Sequence, residues 1–267
     1  MIHYNHRGFY VNGGVIMTFY DPEGKEVSKE DFITLYNQRY YLNSEPTYYI
    51  TQKRRKHVGQ NSIYIEKEID ELLRRGITRE EEVMRILAWK IGKIKHRESE
   101  TKKEFIYAKD WVDCEKSFKV RRFNELIDYK YLVNDIINNI DRLECTSPWE
   151  VFSFLNVDGP KGIGTVYIIA LLNFISKGEF PIYDKYAHIA LDAIINNKKP
   201  GELVPYKALP DKKSDVHIIS HEYINNYKLM LSEIFGDAYK HNRDIDRALW
   251  VYGHLFPNEA SELLPCS

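Results

Sequence analysis

The sequence predicts a mainly helical protein with a small N-terminal β-hairpin. Apolar residues recur near the 3.6-residue period in several segments, serine, threonine or aspartate stands before them as a helix start, and strand-like runs are confined to the first residues. Phe9-Tyr10-Val11 and Val15–Phe19 flank Asn12-Gly13-Gly14, whose glycines supply the positive φ of a tight hairpin. Asp21-Pro22-Glu23-Gly24 then turns the chain, and Ser28 with Asp31 starts a helix running towards Tyr41.

From about Ile63, the residues Ile65, Ile69, Leu72 and Leu73 lie at core spacing, and Gly76 caps that helix. Thr78 with Glu81 reads as the capping-box start of the next helix, which carries Val83, Ile86, Leu87 and Ile91, with Trp89 as a packing residue. The charged segment His96–Glu104 reads as a loop, and Phe123–Leu143 as one buried helical face. Strands look scarce after residue 25. A late pair of helices, about Glu222–Phe235 and Asp244–Phe256, follows the proline-containing connection Pro200–Pro210. Three regions result: 1–75 with the hairpin and first helices, 76–199 as a central helical region, and 200–267 as helices packing back on the N-terminal part.

The chain has 267 residues, 43% hydrophobic and 13% aromatic, enough for a sizeable core. It contains no run of about 18 uncharged apolar residues and no basic-then-apolar leader, so a cytoplasmic protein without a membrane partner is expected. Cys114, Cys145 and Cys266 are odd in number and widely spaced, matching no metal-cluster pattern. Acidic neighbours of Cys114 disfavour its thiolate. A net charge of −1 means that any nucleic-acid face must come from local patches. Three exist: Lys53–His57, the string Lys90, Lys93, Lys95 and Arg97, and the group Lys116, Lys119, Arg121 and Arg122. Each alone also reads as a solvated face.

The chemistry concentrates between residues 147 and 195. Ser147-Pro148-Trp149-Glu150 is a helix start, and Asp158-Gly159-Pro160-Lys161-Gly162-Ile163-Gly164 breaks that helix before the apolar run Thr165–Ser176. Glycines without Cβ let backbone amides approach a phosphate, and the following helix points its positive end at it. The same glycines also serve to end a helix or to allow close packing. About twenty residues on, Pro181-Ile182-Tyr183-Asp184 re-enters a helix with Asp184 as its cap.

Gly162-Ile163-Gly164 followed by Pro181 and Asp184 resembles the helix-hairpin-helix DNA glycosylases of the endonuclease III, adenine glycosylase and 8-oxoguanine glycosylase type, over about residues 147–195. The resemblance implies a glycosylase-like helical fold and a double-stranded DNA partner. It places Lys161, Gly162, Ile163, Gly164 and Thr165 on the DNA and gives Asp184 the catalytic carboxylate role. It points to Val166, Tyr183 and Lys185 as base-pocket candidates, and Trp250, outside the resemblance, joins them as an aromatic able to stack on a flipped base. Val166 stands where the bifunctional members carry a lysine, so a monofunctional hydrolase is implied, with no Schiff-base nucleophile at that position. Pro160-Lys161 replaces the usual leucine-proline, and the cluster cysteines of endonuclease III are absent. No cofactor, whether metal or redox, is implied.

Asp184 also reads simply as a cap, and a catalytically silent helix-hairpin-helix DNA-binding or interaction protein is the alternative function. His217 and His221 have the i, i+4 spacing of metal ligands but not the order of a zinc-protease motif. Trp250, Tyr252 and His254 read either as a base-stacking surface or as an aromatic closing helix.

Overall fold

The computed structural model describes residues 17–41, 63–99, 102–122, 125–145, 147, 150, 164–204, 221–240 and 242–255. Strands β1 (Phe19–Tyr20) and β2 (Glu26–Val27) form a two-stranded antiparallel sheet near the N-terminus. Its turn is the Asp21–Gly24 segment: Asp21 Oδ1 accepts from Glu23 N and Lys25 N at 3.0 and 2.8 Å, and Gly24 takes φ +78°. The hairpin expected around Asn12-Gly13-Gly14 lies outside the described residues.

Helix α1 (Lys29–Tyr41) starts as its sequence predicts, with Ser28 Oγ accepting from Asp31 N at 3.0 Å. Helix α2 (Ile63–Arg75) ends at Gly76, whose φ is +83°. Helix α3 (Glu80–Lys90) begins one residue later than the capping-box reading. Glu82, not Glu81, reaches back, accepting from Thr78 N at 2.8 Å and Arg79 N at 3.0 Å. The choice follows from Arg75, whose guanidinium pairs with Glu82 at 2.5 Å. Burial alone raises a carboxyl; here the Arg75 guanidinium, the Thr78 amide and the Arg79 side chain outweigh it and hold Glu82 at about 2.

Three expectations fail after α3. The segment read as a loop is a hairpin of β3 (Ile94–Ser99) and β4 (Lys102–Tyr107), paired in register from Ile94–Tyr107 to Ser99–Lys102. Its cross-strand positions Arg97–Glu104 and Glu98–Lys103 carry residues of opposite charge, so the sequence shows no apolar alternation there. Past Cys114–Ser117 (α4), a second hairpin joins β5 (Lys119–Arg122) to β6 (Glu125–Asp128). The single helix read over Phe123–Leu143 is therefore β6 followed by α5 (Lys130–Asn138) and α6 (Ile140–Cys145). Strands are not scarce after residue 25.

Helix α7 (Thr165–Ile175) is buried as its sequence predicts, with Ile168, Ile169, Leu171, Leu172, Phe174 and Ile175 at most 1% exposed. It packs on α2, α3 and α6. Helix α8 (Lys185–Ile195) packs on α10 (Arg243–Gly253), and α10 packs on α1, where Tyr252 meets Phe32 and Tyr36 edge-on. A π-helical segment, His221–Lys228, leads into α9 (Leu229–Phe235). One continuous hydrophobic cluster runs through these elements. Among the described residues no helix is long and apolar enough to cross a membrane.

Candidate functional site

The site is built on the link between α7 and α8. Helix α7 starts at Gly164, whose extended backbone (φ −84°, ψ 168°) makes it the N-cap and whose carbonyl accepts from Tyr167 N at 3.0 Å. Lys161, Gly162 and Ile163 lie outside the described residues, and Thr165 forms the first turn of α7. After α7, Lys177 and Gly178 reverse the chain with φ of +51° and +94°.

The next four carbonyls are each claimed by a different side chain. Phe180 O accepts from Asn173 Nδ2 at 2.7 Å, Pro181 O from Tyr223 Oη at 2.6 Å, Ile182 O from Tyr227 Oη at 2.9 Å and Tyr183 O from Lys90 Nζ at 3.2 Å. Pro181, Ile182 and Tyr183 are buried, so each carbonyl needs such a partner. Together α7, the π-helical segment and α3 fix the backbone that delivers Asp184.

Asp184 is the N-cap of α8, as its sequence predicts: Oδ1 accepts from Tyr186 N at 2.9 Å. Its Oδ2 faces Lys90 Nζ at 3.5 Å, and the side chain is 21% exposed. Lys90, read as part of a basic patch facing either nucleic acid or solvent, is instead 11% exposed and turned inward, and Lys93 is paired with Asp110 at 2.8 Å. At the end of α3 the Lys90 ammonium meets the Asp184 carboxylate and the Tyr183 carbonyl, and these partners offset the cost of its burial.

Of the base-pocket candidates, Tyr183 is fully buried, edge-on to Tyr227 and 3.4 Å from His188 Nδ1. Val166 and Trp250 are half-buried against the core, and Lys185 is exposed with its ammonium 4.6 Å from the Tyr186 ring centre. Trp250 packs with Tyr186, His254 and Tyr40, the aromatic closing-helix arrangement. Burial pushes the Cys114 thiol up to about 12, with Glu115 adding to it. His217 and the Lys53–His57 patch lie outside the described residues.

Sequence reasoning missed the charges on α10. Glu66, with no exposed surface, accepts from Trp89 Nε1 at 2.9 Å and Tyr40 Oη at 3.1 Å and pairs with Arg243 and Arg247 at 2.9 and 3.1 Å. Asp70 pairs with the same arginines at 2.9 and 2.6 Å. Burial raises the Glu66 carboxyl, but Arg243 and Arg247 outweigh it and leave it below the ordinary range. Asp246, one turn along from Arg243, has its carboxyl pushed up by burial against the pull of Arg243 and Lys90, with Asp184 adding to the rise. The spacing of Arg243, Asp246, Arg247 and Trp250 on one helix face is the signal that was available.

No family model, characterised protein or solved structure matches this chain.

Proposed function

We propose that the chain binds double-stranded DNA through a helix-hairpin-helix unit and, as a monofunctional DNA glycosylase, hydrolyses the N-glycosidic bond of a flipped modified base. Asp184 is its carboxylate. The observation that carries this reading is the clamped backbone before Asp184: four consecutive carbonyls held by side chains leave the carboxylate little freedom to move. A fixed anion stabilises a sugar that becomes cationic only in the transition state, and does so without reorganising. In the reaction the base departs with the bonding electron pair and takes up a proton from solvent, while water adds through its oxygen to C1′ of the sugar, keeps one hydrogen as the new hydroxyl and gives up the other proton to Asp184 or solvent.

The hairpin amides up to Gly164 and the positive end of α7 hold a backbone phosphate in this reading. One observation favours the silent DNA-binding alternative: both oxygens of Asp184 already have partners, Tyr186 N and Lys90 Nζ. Single-turnover excision on duplexes carrying modified bases separates the two. Base release that depends on Asp184 supports the enzyme; duplex binding without release supports the silent binder.

A further inference from the structure

Strands β5 and β6 pair Lys119 with Asp128, Val120 with Ile127 and Arg121 with Leu126. Residues directly opposite in such a pair project to the same face, and the face alternates along each strand. Val120 is buried and Ile127 packs against the core, so their side of the ribbon is the inner one. Lys119, Arg121, Leu126 and Asp128 therefore form the outer face, and all four are exposed. Leu126 leaves 61% of its surface in solvent. A few residues on, in the first turn of α5, Tyr131 is 80% exposed.

The same stretch is rich in cations. Residues 116–131 carry five lysines or arginines against two carboxylates, in a chain whose net charge is −1. Lys116 and Lys130 are exposed, and Lys116, Arg121 and Lys130 have no ion pair among the described residues. Lys119 meets Asp128 at 3.6 Å, but both side chains stand nearly half in solvent, where such a pair contributes little and opens readily. Strand geometry sets residues two apart about 7 Å from each other, a repeat close to that of successive phosphates along an extended nucleic-acid strand. Lys119 and Arg121 have that spacing on one face. A lone exposed apolar residue needs no explanation; a leucine and a tyrosine within an unneutralised basic face do.

We infer that the outer face of the β5–β6 ribbon, with the first turn of α5, binds a single strand of nucleic acid. Lys119 and Arg121 take successive phosphates, Lys116 and Lys130 extend the contact along the backbone, and an unpaired base stacks on the Tyr131 ring with Leu126 as its apolar neighbour. A duplex keeps its ring faces inside the base stack, so an open aromatic beside cations selects the single strand. Two apolar side chains are too little surface to hold a membrane, where a peripheral helix buries a whole apolar face. A flexible acidic peptide would satisfy the cations but not the tyrosine ring. The inference needs neither Asp184 nor the start of α7, which lie on other elements.

The test is fluorescence anisotropy of the full chain with a labelled short oligothymidylate over a series of salt concentrations. Binding should saturate and weaken steeply with salt. Tyr131→Ala should weaken it by about tenfold with the salt slope unchanged, because stacking releases no counterion. Arg121→Ala should make that slope shallower by about 0.7, one phosphate contact fewer. Both side chains are exposed, so both variants should keep the wild-type circular dichroism; if one does not, the other decides alone. Absence of saturable binding overturns the inference, as does wild-type affinity in folded Tyr131→Ala. Equal or tighter binding of polyglutamate or of phosphatidylserine vesicles also overturns it. Gly164→Asp should leave this affinity unchanged. If it abolishes binding while the ribbon variants do not, the strand sits at the start of α7, so the ribbon fails and the DNA reading stands. Ribbon-dependent binding by a chain that excises no base supports the inference and removes the enzyme alone.

Discussion

Single residues carry the account's sharpest claims. His188 is 2% exposed, and burial lowers its imidazole to about 3. The folded chain thus holds fewer protons than the unfolded one, whose histidine titrates near about 6.5. The stability this residue protects is complete above that pH and is lost as pH falls towards the folded value. Between about pH 7 and about pH 5 the loss is about 2 kcal/mol. Urea unfolding of wild type and His188→Phe at both values should show that extra loss only in wild type; parallel losses would mean that His188 is charged in the fold. At this scale the sequence was most legible at caps. Ser28 and Asp184 were read from side-chain chemistry that acts within three residues. Lys90 was misread because a buried ammonium and a solvated one look alike until the partner, 93 residues away, is in place.

Elements were legible where an apolar face is buried and obscure where it is not. Helices α2 and α8 announce themselves by period and α7 by its apolar run, whereas β3–β4 is a two-stranded ribbon dominated by charged residues. Helix α8 meets α10 so closely that a Cβ on Gly253 would overlap the Tyr186 carbonyl, with Tyr186 and His254 stacked 3.4 Å apart between ring centres. Gly253→Ala must push the helices apart and should destabilise by about 3 kcal/mol, read by urea denaturation. Wild-type stability would show that the two helices separate easily. At the other end of the unit, Gly164 caps α7 from an extended conformation that aspartate also adopts and caps well. Gly164→Asp should therefore fold normally while its carboxylate repels a phosphate. Duplex affinity should fall by about tenfold or more, and unchanged affinity in the folded variant would remove this helix start from the DNA face.

At the scale of the whole molecule, charges that composition gives no hint of tie distant elements together across the hydrophobic core. Glu66 and Asp70 on α2 tie to Arg243 and Arg247 on α10, joining the first half of the chain to the last of the described helices. Arg247→Met leaves Glu66 buried with one arginine fewer and should lower stability by about 3–5 kcal/mol, measured as the shift in urea midpoint. A change under about 1 kcal/mol would mean that the network is dispensable. A mainly helical class was readable from periodicity because most helices bury one face. The site was readable only in part: Asp184 is local in sequence, whereas the clamp around it draws on residues 90, 173, 223 and 227.

In the proposed enzyme Asp184 is more than a cap. Asparagine caps a helix nearly as well but carries no charge, so Asp184→Asn should keep the fold and the duplex affinity. Single-turnover excision, on whichever modified duplex wild type cleaves in a screen, should fall by about a hundredfold or more in that variant. With valine at position 166, wild type should also leave an intact abasic site and no borohydride-trappable adduct. Equal excision rates for wild type and Asp184→Asn would contradict the account and leave Asp184 as a helix cap.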